Sequence, residues 1–278
     1  ERTDCLVLFD FYFKSTVFCL KLKIYIIMAK QAGIIKLKGT IGGISFYKTS
    51  DGHLAREKGG VDKNRIQNDP AFQRTRENGS EFGRAGKGGK VLRNAIRVLL
   101  QNAKDKRVVS RLTKTLVAVT KTDIVNDRGE RTLQDGDLNL LENFEFNLNG
   151  KLGATLFAAY TKAFDRVTGE STLNIGVFSP IVRIAAPSGT THFKIVMGAS
   201  ELDFINETST FENDETAILP YSAANTAPIA LTATITANST LPVVQVLGVE
   251  FYQEVNGQMY SLKNGTYNAL SVTIVDKP

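Results

Sequence analysis

Five groups of side chains in this 278-residue chain are of a type to do chemistry, and each asks for a different geometry. Carboxylates pair at Glu142/Glu145 and at Glu201/Asp203. General acid–base work needs two such groups facing one cleft, and alternate positions on a solvated strand account for the spacings equally well. Asp135-Gly136-Asp137-Leu138-Asn139 presents alternating oxygens as a calcium loop does. Leu140 stands where that loop needs glycine and Phe146 where it needs the closing glutamate, so turns held by aspartate side chains explain the run as well. Gly83-Arg84-Ala85-Gly86-Lys87-Gly88-Gly89-Lys90 invites comparison with a phosphate loop. In one register Gly89 displaces the lysine; in the other Arg84 displaces the first glycine and Val91 the hydroxyl. Histidine occurs only at His53 and His192, with no glutamate spacing that suggests a metal and no Gly-x-Ser-x-Gly elbow. No cofactor, metal or catalytic residue is expected.

The fifth group is cationic: Arg84, Lys87, Lys90, Arg93, Arg97, Lys104, Lys106 and Arg107. Residues 30–114 hold 20 lysines and arginines against 7 carboxylates, whereas residues 115–278 hold 10 against 18. Such asymmetry suits either a basic arm on nucleic acid or the basic half of one subunit meeting the acidic half of another. Aromatic residues are sparse between these cations, which argues against a platform for stacking single-stranded bases.

These residues must be positioned by helices. Asp69-Pro70 pairs a capping residue with the residue best suited to a first helical position. Phe82, Ala85, Gly89, Leu92, Ile96, Leu99 and Ala103 follow in steps of three and four, one side of a long helix. Asp105 reads as a second cap, with Val109, Leu112, Leu116 and Val119 at helical spacing behind it. Glycines at 79, 83, 86, 88 and 89 weaken the first helix, unless small residues there admit a close neighbour.

Before the helices, Ile35, Leu37, Ile41, Ile44, Phe46 and His53–Glu57 suggest a meander of short strands, punctuated by Gly42-Gly43 and Ser50-Asp51-Gly52. A sheet so small must pack on something else. Beyond Asp123 the texture becomes strand and turn. Ile229, Leu231, Ala233 and Ile235 alternate with threonines, Val243–Tyr252 reads as a central strand, and Met259–Lys263 with Leu270–Val275 reads as a closing hairpin. No helix–strand alternation points to a parallel nucleotide-binding sheet.

Residues 1–27 are rich in Phe, Leu, Ile and Lys without period or cleavage site, and are expected to be a non-native, upstream-translated leader ahead of Met28; a membrane-associating leader is the alternative. Both cysteines, Cys5 and Cys19, lie in it, so a chain starting at Met28 has no thiol chemistry and is expected to be cytoplasmic. No window reaches the roughly 18 apolar residues of a membrane span.

Met28-Ala29-Lys30-Gln31-Ala32-Gly33-Ile34-Ile35-Lys36-Leu37-Lys38-Gly39-Thr40-Ile41-Gly42-Gly43-Ile44-Ser45-Phe46-Tyr47-Lys48, Leu54-Ala55-Arg56-Glu57-Lys58-Gly59-Gly60, Asp69-Pro70-Ala71-Phe72-Gln73-Arg74-Thr75-Arg76-Glu77-Asn78 and Glu81-Phe82-Gly83-Arg84-Ala85-Gly86-Lys87 together resemble an uncharacterised Bacteroidota family of unknown function. The resemblance covers Met28 to Pro278, leaves out the leader, and implies no catalytic or binding residues.

The expected fold is α+β: a basic meander and two helices over residues 28–125, then an antiparallel sandwich, immunoglobulin-like or jelly-roll-like, over 138–278. The expected role is a non-enzymatic structural or assembly protein that binds itself or another protein. Nucleic-acid binding through the eight cations is the alternative, and a carbohydrate-directed sandwich the third.

Overall fold

A computed structural model describes residues 28–57, 59–262 and 267–278. The leader and the turn expected at Asn264-Gly265 lie outside them. Two compact units divide between Lys63 and Asn64.

The first unit is a four-stranded antiparallel sheet. Its strands are β1 (Met28–Lys30), β2 (Gly39–Ile41), β3 (Ile44–Thr49) and β4 (Gly52–Glu57), in the order β1-β4-β3-β2. Ile41 pairs with Ile44, so Gly42-Gly43 is the whole connection, and Gly42 takes a φ of 56° that a side chain would resist. The strand expected at Ile35 and Leu37 is instead an irregular loop. Gln31 holds it there: its Oε1 accepts from the Leu37 amide at 2.8 Å, and its Nε2 donates to Leu54 O at 3.0 Å. The side chain thus takes the amide that a ladder partner would need.

In the second unit, α1 (Lys63–Asn68) precedes a 3-10 turn at Pro70–Phe72, capped by the Asp69 carboxylate on the Ala71 amide at 2.9 Å. Helix α2 (Gln73–Ala95) then runs unbroken through all five glycines, followed by α3 (Arg97–Leu100) and α4 (Val108–Thr122). Short helices α5 (Leu152–Thr155) and α6 (Pro180–Arg183) lie among β5 (Tyr160–Asp165), β6 (Glu170–Ile175) and β7 (His192–Asp203). The chain continues through β8 (Thr208–Glu215), β9 (Leu219–Pro220), β10 (Ile229–Thr234), β11 (Val243–Val255), β12 (Gln258–Ser261) and β13 (Ala269–Asp276). No helix among the described residues is long and apolar enough to cross a membrane.

Two antiparallel sheets result, β10-β6-β5 and a six-stranded sheet centred on β7 and β11. The fold is α+β, with a strand-rich C-terminal sandwich. Both faces of the larger sheet are buried, and alternation along β11 sorts its side chains between two cores. Val243, Leu247, Val249 and Phe251 join Leu173, Ile175 and Leu231 of the smaller sheet. Val244 and Val246 join Ala85, Leu92 and Ile96 of α2 and Leu112 and Leu116 of α4. The helices are therefore a third layer on the sandwich. They share its core, and the unit boundary falls inside the 28–125 stretch that charge had set apart. Charge could not show this, because the buried side of α2 is apolar whatever the exposed side carries.

The closing hairpin is rearranged. Asn256 and Gly257 both have positive φ, 51° and 75°, which makes the tight turn β11–β12. Strands β12 and β13 each pair with β11, at Tyr252–Val255 and Val243–Val249 respectively.

Candidate functional site

The carboxylates that could have formed an acid–base pair are committed to structure. Glu142 is exposed, while both oxygens of half-buried Glu145 accept from the Leu152 amide at 3.1 Å, at the start of α5. Burial raises its pKa, and that hydrogen bond only partly offsets it. Glu201 is buried and accepts from the Ser239 hydroxyl. Asp203 closes a turn by accepting from the Asn206 amide and side chain at 2.9 and 2.7 Å and from the Ile205 amide at 2.9 Å, which lowers its pKa.

The calcium-like run is likewise folded onto its own chain. Asp135 Oδ2 accepts from Asn126 Nδ2 at 2.9 Å and Thr132 Oγ1 at 2.8 Å, and Asp137 caps a 3-10 turn through the Asn139 amide at 3.1 Å. No group of three His, Cys, Asp or Glu side chains able to hold a metal occurs among the described residues. The glycine-rich run is helix α2, so its amides bond along the helix and do not form a cradle. His192 contacts Thr191 Oγ1 at 2.9 Å at the start of β7, and His53 lies on β4.

Three of the eight cations are engaged within the chain. Arg84 donates to Arg131 O at 2.8 Å and pairs with Glu130 at 3.1 Å, and Lys87 pairs with Glu207 at 2.7 Å. These two line a recess of about 270 Å³ floored by Leu133 and Phe204. Arg93 turns back along its helix, its Nε donating to Gly89 O at 2.8 Å. Lys90, Arg97, Lys104, Lys106 and Arg107 are exposed. Of the eight, Lys106 alone lines a surface groove between α2 and α4.

That groove lies between α2 and α4, with a volume of about 900 Å³. Its walls are Phe82 and Gly86 of α2 with Val109 and Val117 of α4, and its rim carries Lys106, Lys114 and Lys121. No carboxylate lines it. Phe82 and Val109, both expected in the core from their spacing, are 62% and 48% exposed. The neighbouring position Val108 is buried instead, at 4%. One residue of register decides which of two adjacent valines faces inward, since successive positions on a helix differ by about 100°. Lys114 and Lys121 went unnoticed in the sequence, although their spacing of seven places both on one side of α4, with Lys106 in the turn just before it.

The first unit presents another apolar surface. No residue of 30–57 is buried, and Ile34, Ile35, Leu37, Ile41 and Ile44 range from 40% to 102% exposed. Isolated exposed apolar residues are ordinary, but five within one small unit that buries nothing between residues 30 and 57 are not.

Neither a family model nor a curated protein matches the chain. Among solved structures, one described as concerning the adhesion of Streptococcus parasanguinis by Fap1 fimbriae overlaps 41% of this chain and 78% of its own, at 11% identity and a TM-score of 0.21. The human F-spondin reeler domain overlaps 45% of this chain and 97% of its own, at 10% identity and a TM-score of 0.18. Likeness of that degree shows neither a shared fold nor a shared role.

Proposed function

We propose that this is a non-enzymatic assembly protein whose N-terminal sheet docks on a second copy of the chain. The observation that carries the reading is the N-terminal unit, which buries none of residues 30–57 while exposing five large aliphatic side chains, Ile41 and Ile44 on its strands and Ile34, Ile35 and Leu37 in the loop between β1 and β2. A sheet without a core is marginal in water and gains stability when a partner covers it. The opposed charges of residues 30–114 and 115–278 give a second copy a complementary surface to offer.

Solution mass by light scattering tests this on the full chain, with concentration taken from refractive index because the chain lacks tryptophan. A mass above the monomer that falls at high salt, and falls again in Ile41→Lys/Ile44→Lys, is expected. Both positions are exposed, so the substitutions leave the rest of the fold in place. A strict monomer at high concentration and low salt ends the reading.

Nucleic-acid binding remains the second reading, because Lys90, Arg97, Lys104, Lys106 and Arg107 stay exposed. It requires affinity for duplex DNA that falls steeply with salt. Binding that is absent or insensitive to salt removes it.

A further inference from the structure

We propose that the groove between α2 and α4 is a second, heterotypic docking site, and that its occupant is an amphipathic helix with acidic flanks supplied by a different protein. The inference stands on a surface separate from the N-terminal sheet.

The shape and polarity come first. Phe82 and Val109 stand out of the helix pair instead of entering the core beneath it, and Val117 and Gly86 complete an apolar floor. The floor follows α4 from Val109 to Lys121, a rise of about 18 Å, which matches some three turns of a third helix. Gly79, Gly83 and Gly86 recur on the exposed side of α2, where an added Cβ at any of them meets nothing within 4 Å. A partner's side chains can therefore approach the α2 backbone along that side. The main chains of α2 and α4 are satisfied internally, so an extended peptide would find no ladder to join, whereas a helix brings its own hydrogen bonds.

The charge selects among helices. Lys106, Lys114 and Lys121 rim the groove and no carboxylate lines it, so glutamates flanking the occupant's apolar stripe find partners on the rim. The same face of a second copy would set lysine against lysine. Nor do the described residues of a second copy offer a suitable helix elsewhere: α1, α2 and α4 are basic, and α3, α5 and α6 are four residues each with no carboxylate. Complementarity thus points away from this chain and towards another protein. Duplex DNA would satisfy the lysines but leave Phe82, Val109 and Val117 against its polar backbone.

The test titrates the full chain into fluorescein-labelled helical peptides of about 14 residues, long enough to fill the groove. All share one leucine-rich stripe and carry Glu, Gln or Lys on the flanks, and binding is read by anisotropy at ~50 mM salt. The Glu peptide is expected to bind about tenfold tighter than the Lys peptide, a preference that shrinks at high salt. Phe82→Ala should weaken every peptide several-fold by removing the anchor. Lys114→Glu/Lys121→Glu should reverse the order, so that the Lys peptide binds best. All three positions are exposed, and circular dichroism of each variant confirms the fold before titration. Equal binding of the Glu and Lys peptides overturns the proposal, as does an order that the lysine reversal leaves unchanged. Duplex DNA or anionic vesicles that bind where the Glu peptide does not would overturn it too, assigning the lysines to phosphate.

Discussion

The side-chain amide of Asn102 donates to Oε1 of Glu250 at 2.7 Å, tying the loop before α4 to the central strand β11 across 148 positions of chain. Glu250 is only 4% exposed, and its other oxygen accepts from the Tyr252 hydroxyl at 2.8 Å. The Asn102 carbonyl in turn accepts from Asn268 Nδ2 at 3.0 Å, while Asn268 Oδ1 takes the Phe251 amide at 3.1 Å. A buried carboxylate is tolerated only while donors surround it. Asn102→Ala should therefore cost about 1–3 kcal/mol, measured by urea denaturation. Asn102→Asp should cost more, because it sets carboxylate against carboxylate. An Asn102→Ala midpoint equal to the parent's would show that water replaces the amide without penalty.

Asp123 supplies a pH dependence whose sign can be worked out. Burial alone would raise its pKa, but the Thr132 amide, the Asn126 side chain and amide, and the Val125 amide together hold it at about 2. The distances are 2.8 Å from Thr132 N, 2.9 Å from Asn126 Nδ2, 3.1 Å from Asn126 N and 2.8 Å from Val125 N. A carboxyl more acidic folded than unfolded stabilises the fold above its ordinary value of 3.8, and that contribution disappears as pH falls through about 2. The stability gap between the parent and Asp123→Asn should be constant above about pH 4 and narrow below it. A gap of constant size down to the acid limit would remove Asp123 from the acid response.

Two glycines on one helix should respond to alanine with opposite signs. An added Cβ at Gly83 meets nothing within 4 Å, so Gly83→Ala gains helix propensity of about 0.5–1 kcal/mol. At Gly88 the same atom would stand 2.1 Å from a methyl of Leu133 and 3.2 Å from the Phe204 ring. Leu133 is 3% exposed and cannot swing into solvent, so overpacking of about 1–3 kcal/mol should exceed the propensity gain. Thermal melts of both variants decide it, and a stabilised Gly88→Ala would mean that Leu133 repacks freely.

That contrast also bounds what periodicity could tell. Steps of three and four placed Ala85, Gly89, Leu92, Ile96, Leu99 and Ala103 together, and all six are buried. They placed Phe82 there as well, yet Phe82 is 62% exposed while Glu81, one position before it, is buried at 4%. Steps of three and four fix a side only to within a residue, and one residue is about 100° of helix. The long apolar run Val243–Tyr252 was legible as a central strand because burial on two faces leaves no room for alternation. The basic residues were harder. Arg84 meets Glu130 and Lys87 meets Glu207 through folding alone, and nothing local to either cation announces its partner.

Arg111 offers the sharpest test of how the helix layer is fastened to the sheet. Its Nη1 donates to Glu145 O at 2.7 Å, its Nη2 reaches Asp105 Oδ2 and Phe146 O, and the guanidinium lies 5.1 Å from the centre of the Phe144 ring. One planar fork thus serves a helix, a capping carboxylate and an irregular segment bridged to β13 at Ser271. Lysine keeps the charge but offers a single nitrogen, which cannot meet Asp105 and Glu145 O together while stacking on a ring. Arg111→Lys should therefore lose about 1–3 kcal/mol, despite being nominally conservative. Asp105 separates charge from geometry. Burial opposes its ionisation, but the Leu148 and Arg107 amides and then Arg111 lower its pKa. The two amides survive in Arg111→Lys and in Arg111→Met, so Asp105 should stay more acidic than usual in both, less so in Arg111→Met. Were Arg111→Lys as stable as the parent, the positive charge rather than the fork would be what fastens α4 to the sheet.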